Sequence, residues 1–342
     1  MNAATPIVSS HHAAKPNEKH RSMLARIAAF EFRYQLKNPV FWVTAGLFFL
    51  FSYGFVASDS IQIGGGGNIH ENGPFSILQT NIIFSVFFMF VTTAFVANVI
   101  VRDDDTGYGP IVRSTRVTKF DYLIGRFIGA FGIAALAFTS IPIGIFIGSL
   151  MPWLDPETLG PNRIGDYLFG YFVFALPNIL ITSAILFALA TVTRSMMTTY
   201  LGVVVLLVAW IVTNTTVRDR PELEGTMALA EPFGARAFGN ASRYWTAAER
   251  NTVLPDLSGP LLTNRLLWIG ISMLFLALAY SLYRFADKGV SKRKQKKQQK
   301  LAAAVASEPQ VVQSLGQLPT ARPEQARGAQ SWARTKFEMV QV

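Results

Sequence analysis

One polar segment interrupts an otherwise apolar chain with residues able to do chemistry. It reads Asp103-Asp104-Asp105-Thr106-Gly107, followed at wider spacing by Arg113, Arg116 and Lys119. Three adjacent carboxylates near a helix N-terminus would each gain about 0.3–1 kcal/mol from the helix dipole. The three cations can pair with acidic groups on a partner. The plainer reading is a solvated loop whose basic residues only fix membrane topology. Other chemistries are poorly served. There are no cysteines, so disulfides, thiolate metal sites and thiol catalysis are excluded in this chain. Of four histidines, His11, His12 and His20 sit in a polar N-terminal tail. His70-Glu71 opens like a zinc-protease motif, but position 74 is Pro rather than a second His. No Gly-x-x-x-x-Gly-Lys-Ser/Thr phosphate loop occurs. Gly64 to Gly67 lack the strand and lysine such a loop needs and read as a linker, and Leu257-Ser258-Gly259-Pro260 reads as a turn.

The elements that must position the charged segment are six long apolar stretches, roughly 39–58, 77–101, 122–151, 166–193, 196–217 and 264–286. About 20 apolar residues in a helix cross about 30 Å of hydrocarbon. Lipid offers the backbone no hydrogen bonds, so each stretch is expected to be helical. The fold expected is all-α and polytopic. The first forty residues hold no cleavable signal, so the first span is expected to act as its own insertion signal. Residues 21–37 place Leu24, Ile27, Ala28, Phe30, Tyr34 and Leu36 at near-helical spacing, with Arg26, Arg33 and Lys37 on other faces. That pattern predicts an amphipathic elbow helix in the membrane interface, ended by Pro39.

The net charge of +10 is gathered in blocks beside the spans, at residues 15–37 and 288–300. Orientation explains such blocks better than nucleic-acid binding does. Both termini and the loop 102–121 are expected on the cytoplasmic side of the cell inner (plasma) membrane, against anionic lipid head groups. The loop 218–263, with five arginines among acids, is expected outside.

Polar residues within the spans are the remaining candidates: Gln79, Asn81, Thr93 and Asn98 in the second, Asn178 and Thr182 in the fourth. They serve either as interhelical hydrogen bonds, worth about 0.6 kcal/mol each, or as a substrate path. No span is expected to hold a buried charged pair. Gly125, Gly129 and Gly132, then Gly144 and Gly148, give the third span a face for close helix packing. Residues 1–20 and 291–330 read as a disordered tail and linker. Trp332 to Val342 echo the elbow helix, as the start of a second repeat would.

The order acidic run, Thr106-Gly107, apolar pair Ile111-Val112, basic residues, then Leu123-x-Gly125-Arg126 resembles the cytoplasmic loop of ABC-2 type transporter permeases. Arg126 stands where Lys is common, and Tyr108-Gly109-Pro110 departs from the pattern. The resemblance covers about residues 22–290 and includes Thr193-Arg194-Ser195 after the fourth span. More narrowly, the chain is similar to the permease half of bacterial fusions that end in an M1-type aminopeptidase, and with the echo at its tail it is expected to be the first half of a longer protein or the product of a shortened reading frame. The resemblance implies a permease without its own ATPase or peptidase. It also implies a separate ATP-binding subunit holding ATP and Mg, a second permease half or homodimer partner, and no cofactor on this chain. Asp103, Asp104, Asp105, Thr106, Gly107, Arg113, Arg116 and Lys119 would then form the loop that couples to the ATPase. A membrane anchor for a peptidase and an ion-driven carrier are the alternatives.

Overall fold

In the computed structural model the described residues are 16–58, 63–106, 108–219, 222 and 224–283. The linker at 291–330 and the repeat start at 331–342 lie outside them, as does Gly107. Among the described residues there is no strand, and six helices are long and apolar enough to cross a membrane. They are Pro39–Ala57, Pro74–Asp103, Lys119–Gly148, Ile164–Thr193, Met196–Thr215 and Gly259–Leu282. This is an all-α, multi-pass membrane architecture.

Local signals set the span starts. Asn38 caps the first span by accepting the Val40 N–H at 3.0 Å, with Pro39 at the first helical position. Pro74 plays the same part in the second span. Thr118 caps the third by accepting the Asp121 N–H at 3.1 Å. Gly259, at φ +51, turns the chain into the sixth, where a φ of that sign suits glycine. The Leu257–Pro260 motif, expected as a turn, instead leads into a helix that takes Gly259 and Pro260 as its first residues.

The second, third and fourth spans form the centre. Their most apolar windows are 67%, 50% and 67% buried, against 22%, 11% and 17% for the first, fifth and sixth. The outer three leave wide apolar faces for lipid or another chain. The second and fourth spans each contain a π-helical turn, at Thr93–Ala97 and Gly170–Ala175.

A further helix, Pro16–Leu36, precedes the first span and starts before the expected residue 21. It packs along the third span. Leu24 and Ile27 meet Gly125, Ala28 and Glu31 meet Gly129, and Phe32 meets Gly132. The first span takes over further along, with Ser52 and Tyr53 against Gly144 and Tyr53 and Val56 against Gly148. Both glycine stripes are thus used inside this chain.

This register sets depth. The first span's 19 residues make about 28 Å of helix, close to the thickness of hydrocarbon. Its start lies level with Phe95, through the Phe41–Phe95 ring contact, while Phe48 meets Phe84 and Phe88. The second span beyond the π-turn, and the third span before about Gly132, therefore project past the hydrocarbon slab. The N-terminal helix runs beside that projection. It will be called the loop end, since residues 104–118 close it.

A Cβ at Gly129 would lie 2.5 Å from the Ala28 carbonyl oxygen and 2.8 Å from the Glu31 Cβ. Gly129→Ala should cost about 1–3 kcal/mol by overpacking. Gly46→Ala, with nothing within 4 Å, should cost nothing. Thermal unfolding in detergent compares the two, and equal melting temperatures would contradict the helix register.

Candidate functional site

The charged segment joins the second and third spans at the loop end. The second span does not stop at Val101: its last helical stretch is Asn98–Asp105. Asp103, Asp104 and Asp105 therefore sit at a helix C-terminus, not at the N-terminus expected from the sequence. The dipole disfavours negative charge there, so Asp103 depends on other partners. Thr106 donates its hydroxyl to the Arg102 carbonyl at 2.8 Å and helps close that helix end. A short helix, Tyr108–Arg113, follows and carries Ile111 with 60% of its surface exposed. Ser114 and Thr115 donate back to the Ile111 and Val112 carbonyls and end it. Arg113 is its last residue, and Arg116 is exposed. Lys119 lies 4.6 Å over the Tyr280 ring of the sixth span, so one of the three expected docking cations already has an intramolecular partner.

The two stems of this segment meet in a buried charge cluster with the N-terminal helix. Arg126 of the third span donates to Asp103 at 2.7 Å and is ion-paired to Glu31. Arg102 donates to Glu31 at 2.9 Å. The side chains of Glu31, Arg126 and Asp103 are 0%, 4% and 4% exposed. The Tyr122 hydroxyl donates to Asp103 at 2.8 Å. Gln35 donates to Glu31 at 2.6 Å and also to the Phe95 carbonyl, at 2.9 Å, within the π-turn. Two acids and two arginines balance, with aromatic faces around them: Arg126 over Phe30 and Tyr122, Arg102 over Tyr34. The expectation that no span holds a buried charged pair is overturned by Arg126–Asp103. The reason is depth, since the pair lies on the projecting part of the bundle and inside protein, where polar neighbours replace water.

The N-terminal helix is turned differently from its sequence pattern. Glu31 and Gln35 face inward, while Phe30 and Tyr34 share the exposed face with Arg26, Arg33 and Lys37. Facing inward, Glu31 meets Arg126 and Arg102, and the two rings are left on the outer face.

A second buried network lies at the opposite end. Arg265, within the sixth span, donates to the Asn178 side chain at 2.8 Å, to Asn264 at 3.0 Å and to the Pro232 carbonyl at 3.0 Å. Asn178 also donates to Ser85 at 3.1 Å and to the Phe233 carbonyl at 3.0 Å. Glu231 accepts the Phe233 N–H at 3.0 Å. Burial pushes the Glu231 carboxyl above its ordinary range, while the Arg265 guanidinium and the surrounding backbone amides pull the other way. Gly234 takes φ +80 against the Arg265 guanidinium, a conformation and a space that suit only glycine. Residues 218–263, expected as a loop, thus include the helices Glu224–Ala230, Ala235–Ala241 and Ala247–Thr252.

The six span residues proposed for a substrate path are not brought together as one set. Asn81 and Asn178 are linked through Ser85, whose hydroxyl donates to the Asn81 carbonyl. The Asn81 side-chain oxygen is buried with no hydrogen-bond partner among the described residues. Thr93 and Thr182 donate to their own helices, at Met89 and Asn178. Gln79 and Asn98 are half-buried toward opposite ends of the second span.

Sequence reasoning missed Glu31, Gln35, Tyr122, Arg126 and Arg265. Three signals were present: Glu31 is the one acid in 21–37, and Arg126 and Arg265 are cations inside apolar stretches. No protein-family model and no curated protein matches the chain.

Removing one member of a buried ion pair strands its partner, at a cost of about 3–5 kcal/mol. Glu31→Gln should lose that much stability in denaturant titration of the detergent-solubilised protein. The double variant Glu31→Gln/Arg126→Gln should lose clearly less than the sum of the two single losses. Strict additivity would mean that the two groups do not interact.

Proposed function

We propose that this chain is the transmembrane half of an ABC-2 type transporter. It moves a substrate, in the export direction, with ATP hydrolysed by a separate subunit that carries ATP and Mg. The loop end faces the cytoplasm of the inner membrane, with both termini on that side. The observation that carries the reading is the short helix Tyr108–Arg113, set between two stems that Asp103 and Arg126 lock together. A helix on a braced stem pair suits force transfer, because a push on it cannot be absorbed by the stems sliding apart.

The sequence pattern from Asp103 to Arg126 supports the same reading, as does the exposed surface of the segment. Ile111 offers an apolar contact and Arg116 a cation to an acidic cleft. Asp103, by contrast, works inside the brace and not at the docking surface. The N-terminal helix takes the elbow's place at the membrane boundary, standing along the third span instead of lying in the interface. The apolar faces of the first, fifth and sixth spans are where lipid or the second permease half packs.

Affinity purification of the full chain from its native membrane should bring down an ATPase that carries a phosphate-binding loop. Ile111→Asp together with Arg116→Glu should lower the hydrolysis stimulated by the chain at least tenfold while leaving its melting temperature unchanged. A copurifying complex without ATPase, or stimulation unaffected by the substitutions, would contradict the assignment.

A further inference from the structure

We infer that the exposed face of the N-terminal helix is a docking site for an acidic phospholipid. The inference deepens the reading above, because it rests on that helix lying at the membrane boundary. Arg26, Arg33 and Lys37 share one exposed face of this helix with Phe30 and Tyr34. The two rings stack, with centroids 6.1 Å apart. No acid shares this face among the described residues, because Glu31 is turned into the bundle and paired with Arg126 and Arg102.

Depth is fixed by a separate observation. Trp42, one turn into the first span, is 64% exposed, and its indole N–H donates to the Leu36 carbonyl at 3.1 Å. An exposed tryptophan with its polar edge toward a helix junction belongs at the headgroup level of a bilayer. Arg33, Tyr34 and Lys37 lie within three residues of Leu36, the residue that this indole bonds. A ligand here meets cations at headgroup depth and apolar ring faces beside them. Those suit the headgroup end of an anionic lipid: phosphate for the cations, and the glycerol region for the ring faces of Phe30 and Tyr34. A zwitterionic lipid would leave the excess positive charge unmatched. A basic side chain near such a surface is worth about 1 kcal/mol, so each should raise acidic-lipid preference about fivefold.

The test measures lipid retained by the purified full-length chain, by native mass spectrometry from micelles holding equal phosphatidylglycerol and phosphatidylcholine. The wild type should retain phosphatidylglycerol preferentially. Arg33→Gln/Lys37→Gln should reduce that preference by about fivefold for each cation removed. Arg243→Gln, at the opposite end, should not. Equal retention of the two lipids, or full preference in the double variant, would overturn the proposal. So would displacement of the lipid by soluble glycerol 3-phosphate, which would make this a site for a free anion. A companion measurement separates the two layers of inference. The chain has no cysteine, so Ala29→Cys takes a single fluorophore. Quenching by headgroup-labelled lipid without acidic preference sinks the lipid site alone. No quenching sinks the boundary placement as well.

Discussion

Arg126 holds the loop end of this protein together. It is a cation near the start of an apolar helix, and it bridges Asp103, at the end of the preceding span, to Glu31, on the N-terminal helix. Three elements that share no hydrophobic periodicity are thereby fixed to one point. Such a cluster is a poor source of net stability, because desolvating four charges offsets most of their attraction. Its effect is specificity. Among orientations that bury Glu31, only one that gives its carboxylate an arginine avoids stranding a charge.

The glycine stripe makes this pairing geometrically available. Gly125 and Gly129 let the N-terminal helix approach until Ala28 and Glu31 press on the third span's backbone. Bulkier residues would hold the helix away and stretch the ion pairs. The π-turn at Thr93–Ala97 contributes from the other side by presenting the Phe95 carbonyl to Gln35. Packing, backbone irregularity and charge converge just past the depth where the first span begins. The cluster can thus be dry within protein without any charge facing lipid tails. The Arg265 network performs the corresponding task at the far end, pinning the 224–241 segment to the fourth and sixth spans.

Much of this was legible in the sequence, for reasons that have limits. Long apolar runs have one solution in lipid, so six spans could be read from composition alone. The start at Pro39 followed from proline chemistry, whereas the second span begins at Pro74, three residues ahead of the apolar run at 77. The end of the second span was not legible, because Arg102-Asp103-Asp104-Asp105 is polar while the helix continues through it. That error put the acids at the wrong helix pole. The face of the N-terminal helix was misread because periodicity counts Phe30 and Tyr34 as apolar and cannot weigh a buried Glu31. Its partners lie 71 and 95 positions away, and no local rule reports on such pairs. A lone acid in a basic helix and a lone arginine in a greasy one were the available clue. They needed to be considered together.

The most direct test of the account is hydrogen–deuterium exchange on the intact protein in lipid nanodiscs. If the charge cluster joins the N-terminal helix to the third span, amides of residues 24–36 and 119–130 should be protected alike and open together as denaturant is raised. Rapid exchange across residues 24–36 while the third span stays protected would show an independent helix, and the central claim would be wrong.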